Sequence, residues 1–344
     1  VKNIRSYTEE ELKNIFIELG EKPFRARQVF EWLWKHSASS FEEMTNLSQA
    51  NRQWLHQHFF IGKVAVGHQQ ISKDRTVKNA FMLHDGLIVE GVLIPTDTRM
   101  TACISSQVGC SLSCKFCATG KLERVRNLDF YEIYDQVSLI KQQSLELYNI
   151  QLSNIVYMGM GEPLLNYTNV IKSIEMITSP DGLGMSPQRI TVSTAGIAKM
   201  IRRLGDEEVK FNLALSLHAA NDKKRDEIMP INEHNNLEVI LDSLRHFYDK
   251  TGTRITLEYI VFNQFNDSLD DAKELADFAR KVPVKINLIE YNSIGDGLFE
   301  NAKEDKLDQF KNYLESRKLI VNMRRSRGKD IDAACGQLAN KTGQ

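Results

Sequence analysis

From about residue 101 to residue 324, short runs rich in valine, isoleucine and leucine alternate with longer amphipathic stretches, and this period constrains the fold of the 344-residue chain more than any other feature. "TACISSQ" (101–107), "SNIVYMG" (153–159), "RITVST" (189–194), "FNLALSL" (211–217), "RITLEYIVF" (254–262) and "VKINLIEY" (284–291) read as strands. Helical patterns lie between them, for example "DFYEIYDQVSLIKQQSLEL" (129–147) and "SLDDAKELADFARK" (268–281). Strands apolar on both faces need cover on both, and a crossover helix between consecutive strands lets them run parallel. About six such units fit, fewer than the eight of a closed barrel. The expected fold class is α/β, a partial (β/α)6 barrel with a last strand "KLIVNMR" (318–324) near its edge.

Upstream the rhythm differs. In "TEEELKNIFIELG", Leu12, Ile15, Phe16 and Leu19 share one helical face, Thr8 and Glu11 have capping-box spacing, and Gly20 marks the stop. "KPFRARQVFEWLWK" follows, with Val29, Phe30, Leu33 and Trp34 as its apolar face. Between residues 61 and 96, short alternating runs separated by turn residues, including Asp85-Gly86, indicate a β-hairpin region. The expected organisation is a helical accessory domain (1–60), a β-hairpin linker (61–96), the barrel core (97–320) and a C-terminal segment (321–344).

The cysteines set the compartment. There are five, and four fall in "CISSQVGCSLSCKFCATG" (103–120). A secreted disulfide scaffold is short and cysteine-dense, with an even count. No charged-then-apolar leader opens the chain, and no apolar run nears the roughly 18 residues of a membrane span. The expected setting is a reduced cytoplasm without membrane contact, with the cysteines forming a metal or redox site. A net charge of −1 argues against a highly basic nucleic-acid binder and leaves local patches to decide.

In a barrel of this kind the working residues sit where strands end. Cys110, Cys114 and Cys117 form a CxxxCxxC after the first strand; "GMGEP" (159–163), "STAG" (193–196), "SLHAAND" (216–222) and "EYN" (290–292) end later ones. Zinc asks for four ligands, often as two CxxC-type pairs, and no second pair is present. A [4Fe–4S] cube held by three cysteines leaves one iron open for a small molecule. The spacing alone favours the cluster and leaves zinc open.

The CxxxCxxC spacing, with Phe116 before the third cysteine, resembles the signature of the radical S-adenosylmethionine (SAM) enzymes. Together with "MGMGEPLLNY", "STAG", "SLHA" and "DIDAACGQL" (330–338), in that order along nearly the whole chain, it resembles the RlmN/Cfr family of radical SAM RNA adenine methyltransferases. "GMGEPLLNY" is more similar to the C2-methylating RlmN branch than to the C8-methylating Cfr branch. The resemblance implies a [4Fe–4S] cluster on Cys110, Cys114 and Cys117, and two SAM per turnover. It implies SAM contacts at Gly161, Glu162, Ser193, Ser216, Leu217, His218 and Asn292. Cys335 matches the cysteine that one SAM methylates, Cys103 the partner that resolves the resulting RNA adduct as a disulfide, and Glu90 a proton acceptor. The Cys335 loop is then expected over the barrel mouth beside Cys103, because a disulfide needs close Cα atoms. The implied substrates are 23S rRNA and tRNA, with a flavodoxin-like or ferredoxin-like electron donor.

Plainer readings stand beside these. Alone, Cys335 or Cys103 would be a structural thiol, Glu90 a solvent-facing strand residue, and His218 a satisfied polar group. "KLERVR" (121–126) and "RRSRGK" (324–329) would be solvated faces, or phosphate contacts if RNA passes there. Lys22, Arg25 and Arg27 are candidate RNA contacts beside aromatics expected in the core. A reading from another class is a non-catalytic zinc-cysteine module that binds RNA.

Overall fold

The computed structural model describes residues 2–340. β1 (Lys2–Asn3) precedes three helices, α1 (Glu9–Glu18), α2 (Phe24–Trp34) and α3 (Gln49–His58), and pairs in parallel with β2 (Phe59–Phe60). The α1 capping box forms as expected: Glu11 N donates to Thr8 Oγ1 at 3.2 Å and Thr8 N to Glu11 Oε2 at 2.6 Å. Leu19 lies past the last helical residue and is exposed, so it leaves the apolar stripe that Leu12 and Phe16 bury.

This helical unit docks on the barrel through one buried cation. The Arg5 guanidinium meets Asp135 Oδ2 at 2.7 Å and lies 4.5 Å over the Trp34 ring, which stacks on Phe130. Arg27 pairs with Glu9, Glu31 and Asp181. It therefore fastens the unit to the barrel, where the sequence reading had it facing RNA. Arg25 bonds Gln28 and the Asn46 carbonyl, whereas Lys22 is exposed. Phe24, expected in the core, is half exposed.

The chain continues through an antiparallel meander, β3 (Ala65–Ile71), β4 (Val77–Met82) and β5 (Ile88–Pro95). Asp85-Gly86 turns between β4 and β5, with Gly86 at φ 81°. Then β6 (Met100–Cys103) opens the barrel, and β7 (Gln107–Val108) pairs with β8 (Arg126–Asn127). α4 (Phe130–Tyr148), β9 (Asn154–Tyr157), α5 (Tyr167–Thr178), β10 (Ile190–Thr194), α6 (Ala198–Asp206) and β11 (Asn212–Ser216) follow. α7 (Asp222–Ile228), α8 (Leu237–Thr251), β12 (Ile255–Ile260), α9 (Leu269–Ala279), β13 (Val284–Ile289), α10 (Glu304–Ser316) and β14 (Val321–Arg324) complete the order.

A ten-stranded sheet runs β14-β13-β12-β11-β10-β9-β6-β5-β4-β3. From β14 to β6 every neighbour is parallel; from β6 to β3 every neighbour is antiparallel. The expected (β/α)6 barrel with an edge strand is present, and its sheet continues into the meander through the β5–β6 pairing. The expected strand 101–107 breaks after Cys103. Ser105 and Ser106 turn there, because Ser105 N bonds Gln136 Oε1 and Ser106 N the Met160 carbonyl.

One buried cation also stitches the strand-end loops. Arg225, on α7, is fully buried and donates to the carbonyls of Leu217, Ala195 and Ser216 and to Asn232 Oδ1. Burial lowers its pKa to about 10, so it remains charged at neutral pH. Replacing it would strand several buried acceptors. Arg225→Met should cost roughly 3 kcal/mol or more in urea denaturation, while Arg202→Ala, which removes an exposed pair with Asp242, should stay within about 0.5 kcal/mol of the native protein.

Candidate active site

Because the barrel strands are parallel, their C-terminal ends share one edge, and a cavity opens there. It is lined by Cys103 ending β6, Gly161 and Glu162 after β9, Ser193 in β10, Ser216 ending β11, His218 just after it, Glu258 in β12 and Arg324 ending β14. Cys110, Cys114 and Cys117 line it from one side and Cys335 from another.

The CxxxCxxC loop is an excursion closed at its base by the β7–β8 pair, Val108 opposite Arg126. Gly109, at φ 77°, starts it, and a Cβ there would lie 2.0 Å from the Glu123 carbonyl oxygen; only glycine fits. Lys115 N reaches the Ile228 carbonyl at 3.0 Å and Cys117 N the Cys114 carbonyl at 3.2 Å. Leu112, Phe116, Ile228, Met229 and Ile260 form an apolar collar around the thiols. Burial raises all three thiol pKa values, that of Cys110 to about 11. Ionising them together calls for compensating positive charge, which a metal centre supplies.

Gly161, at φ 95°, packs its backbone on Gln107, where a Cβ would come within 2.5 Å of the Gln107 Cβ. Gln107 Oε1 in turn accepts from Glu162 N at 2.8 Å, so the turn after β9 is locked to the start of the cysteine loop. Burial raises the Glu162 carboxyl to about 7, opposed by the N–H groups of Ala195 and Leu164. A cation placed beside it would restore the ionised form. Ser193 Oγ and Ser216 Oγ lie 3.3 Å apart. His218 accepts from Ile260 N through Nδ1 and meets the Phe116 ring edge-on; burial lowers it to about 3, so it stays neutral. Leu217 and Asn292 do not line the cavity: Leu217 is fully buried, and Asn292 binds the Cys335 carbonyl through Nδ2. Asn292 Oδ1 is buried without a donor.

After β14 the chain crosses the mouth as a strap. Ala118 N donates to the Gly336 carbonyl at 2.7 Å and Thr119 Oγ1 to the Leu338 carbonyl at 2.6 Å, so the strap is sewn to the cysteine loop. Cys335 thereby lines the same cavity as Cys103, as expected, and both thiols are free. Burial pushes Cys103 up to about 12; a charge on Cys335 would add to the rise, and Arg324 opposes it. Arg324 Nη1 sits 3.3 Å from Glu258 Oε2, while Glu258 Oε1 accepts from Asn287.

Glu90 is not brought into this cavity. Fully buried on β5, it pairs with Lys78 at 3.0 Å through Oε1 and accepts the N–H groups of Ala339 and Asn340 at 2.8 and 3.1 Å through Oε2. The basic strings are also largely committed. Lys121 pairs with Asp296, Arg126 with Asp85 and Glu132, Arg325 and Lys329 with Glu290, and Arg327 with Asp74. The sequence reading passed over Glu258 and Arg225. A carboxylate inside the buried "ITLEYI" strand was the available signal for the first; Arg225 sits in a charged helix, "DKKRDEI", that reads as solvated.

The residues fit a cluster with SAM beside it. Three thiols on one loop suit a multi-iron cluster with one iron left to another ligand. Glu162, poised to take a cation, and the paired hydroxyls of Ser193 and Ser216 offer polar partners for an amino-acid head and a nucleoside.

Comparison with known proteins agrees. The Ribosomal RNA large subunit methyltransferase N-terminal domain matches residues 2–61, and the Radical SAM superfamily matches residues 104–279. The probable dual-specificity RNA methyltransferase RlmN of Cytophaga hutchinsonii is 63% identical over 340 residues, covering 99% of this chain and 93% of the relative. The dual-specificity RNA methyltransferase RlmN of Geobacter sulfurreducens is 43% identical over 98% of this chain and 92% of its own. A crystal structure of a radical SAM methyltransferase from Sphaerobacter thermophilus superposes with a TM-score of 0.92 at 34% identity, covering 98% of this chain and 99% of that one. The family implies a [4Fe–4S] cluster and SAM, and the chain belongs to the RlmN family of radical SAM RNA methyltransferases.

Proposed function

We propose that the protein methylates C2 of an adenine in 23S rRNA and in tRNA, in the cytoplasm, with electrons from a flavodoxin-like or ferredoxin-like donor. The observation that carries this reading is the strap, which puts Cys335 in one cavity with Cys103 and the CxxxCxxC loop. Cys110, Cys114 and Cys117 would hold the cluster. Glu162 would face the SAM ammonium, with Gly161, Ser193, Ser216 and His218 around the rest; Leu217 and Asn292 would act from behind the cavity wall, Asn292 through the Cys335 carbonyl. Bound there, cluster and two SAM supply a methyl group and a one-electron route to a hydrogen-abstracting radical.

The residues do the rest. An adenine ring carbon is not nucleophilic enough to attack a SAM methyl group, so Cys335 accepts the methyl first. Loss of one hydrogen atom from that S-methyl leaves a methylene carbon that bonds the ring. The bound cluster would serve as the acceptor for the one electron the adduct must lose, and the ring proton then leaves. Cys103 then attacks Cys335 Sγ, the S–C bond breaks toward the ring, the proton that Cys103 has taken completes the new methyl group, and a Cys103–Cys335 disulfide remains. Because Glu90 lies outside the cavity, we assign the ring proton to Cys103. The adenine must be unstacked to enter, as in a loop or a flipped base.

Anaerobic reaction of the reconstituted holoenzyme with SAM and unmodified RNA, followed by nucleoside mass spectrometry, should yield 2-methyladenosine from both rRNA and tRNA. 8-Methyladenosine would place the protein with the Cfr-type enzymes, and no methyladenosine from a cluster-loaded, SAM-cleaving sample would overturn the substrate. Cys335→Ala should abolish turnover while SAM cleavage persists; Cys103→Ala should accumulate a covalent protein–RNA adduct on denaturing gels. In the RNA-free protein, peptide-resolved alkylation of Cys103 should climb about tenfold per pH unit from pH 8 to 10 without levelling, because a thiol near 12 is still mostly protonated there. A plateau near pH 9 would contradict the assigned burial.

A further inference from the structure

The strap is held on both sides of Cys335 by the β3–β5 meander. On its upstream side Asp74 accepts from Gly328 N at 2.9 Å, and Asp330 from Ser72 Oγ and from Lys73 N at 3.1 Å. On its downstream side Glu90 Oε2 takes two successive strap N–H groups, Ala339 and Asn340, and Asn340 Nδ2 donates to the Ile88 carbonyl at 2.8 Å. The upstream partners Asp74 and Lys73 lie at a turn, whereas Glu90 and Lys78 are buried, at 0% and 3% side-chain exposure. Burying an ion pair gains little stability over an apolar pair of the same volume. What this one adds is a charged acceptor, whose hydrogen bonds are about twice as strong as neutral ones, aimed at the backbone a few residues beyond Cys335.

We propose that the Lys78–Glu90 pair is a latch for the strap: Glu90 is a positioning residue that acts through Ala339 and Asn340 to hold Cys335 at the cavity, and Lys78 fixes its other carboxylate oxygen in the core. The proposal rests on the reading of Cys335 as the methyl carrier. It separates Glu90 from proton transfer, because both carboxylate oxygens already have partners away from the cavity. The latch acts before RNA arrives, whereas a proton acceptor acts only after the adduct forms.

That difference is measurable in the full-length holoenzyme. Glu90→Gln and Lys78→Met should both speed amide hydrogen exchange at residues 335–340 and slow labelling of Cys335 by methyl-labelled SAM, without RNA, by about tenfold, the effect of losing one charge-assisted bond. Asn340→Ala, which spares the buried pair, should speed exchange at the same amides and carries the test should Lys78→Met fail to fold. Native strap exchange and native Cys335 labelling in Glu90→Gln, with a covalent RNA adduct accumulating once RNA is added, would overturn the latch and make Glu90 the proton acceptor. Unchanged exchange in both Glu90→Gln and Asn340→Ala would also overturn it. If native Cys335 takes no label at all, the methyl-carrier reading fails, while the exchange data still decide whether the latch exists.

Discussion

Seven strands running the same way are the constraint on which the site depends. Each ends at the same edge, so residues as far apart in sequence as Cys103, Glu162, Ser193, His218, Glu258 and Arg324 meet around one cavity. An antiparallel arrangement would send alternate loops to the opposite end. The buried Arg225 and the Gln107–Glu162 bond then fix the loops relative to one another, turning a shared edge into a defined site.

The parallel sheet leaves the barrel open, and the C-terminal strap spans the opening. It departs from β14 at one edge of the ten-stranded sheet and is bonded to the β3–β4 turn and β5 on the other side. The meander is thus more than a spacer between the helical unit and the barrel. It is the ledge on which the segment carrying Cys335 rests, and its buried charges act on the strap rather than on solvent.

The alternation of strands and crossover helices was legible because each strand is long enough and apolar enough to show its period. The capping box at Thr8 and the turn at Asp85-Gly86 were legible because they are local. The cysteines could be placed because loops at strand ends converge whatever their sequence separation. What escaped depends on long-range pairing. Nothing near Arg27 signals Asp181, and nothing near Glu90 signals Lys78 or the strap amides. A charge run reads as solvated until its partners are known, and "RRSRGK" turned out to hold Arg324 beside the two thiols and three more residues that pin the strap. The break after Cys103 was hidden because "SSQ" suits a strand, and only Gln136 and Met160 turn it.

The central claim is that the new carbon reaches RNA by way of Cys335. The most direct measurement is isotopic: a reaction with SAM deuterated throughout its transferable methyl group, followed by mass spectrometry of the methyladenosine and of the 5′-deoxyadenosine formed. The account predicts a product methyl retaining two deuterium atoms and a deoxyadenosine that has gained one. A product methyl retaining all three would mean direct transfer from SAM to the base, and would contradict the role given to the strap.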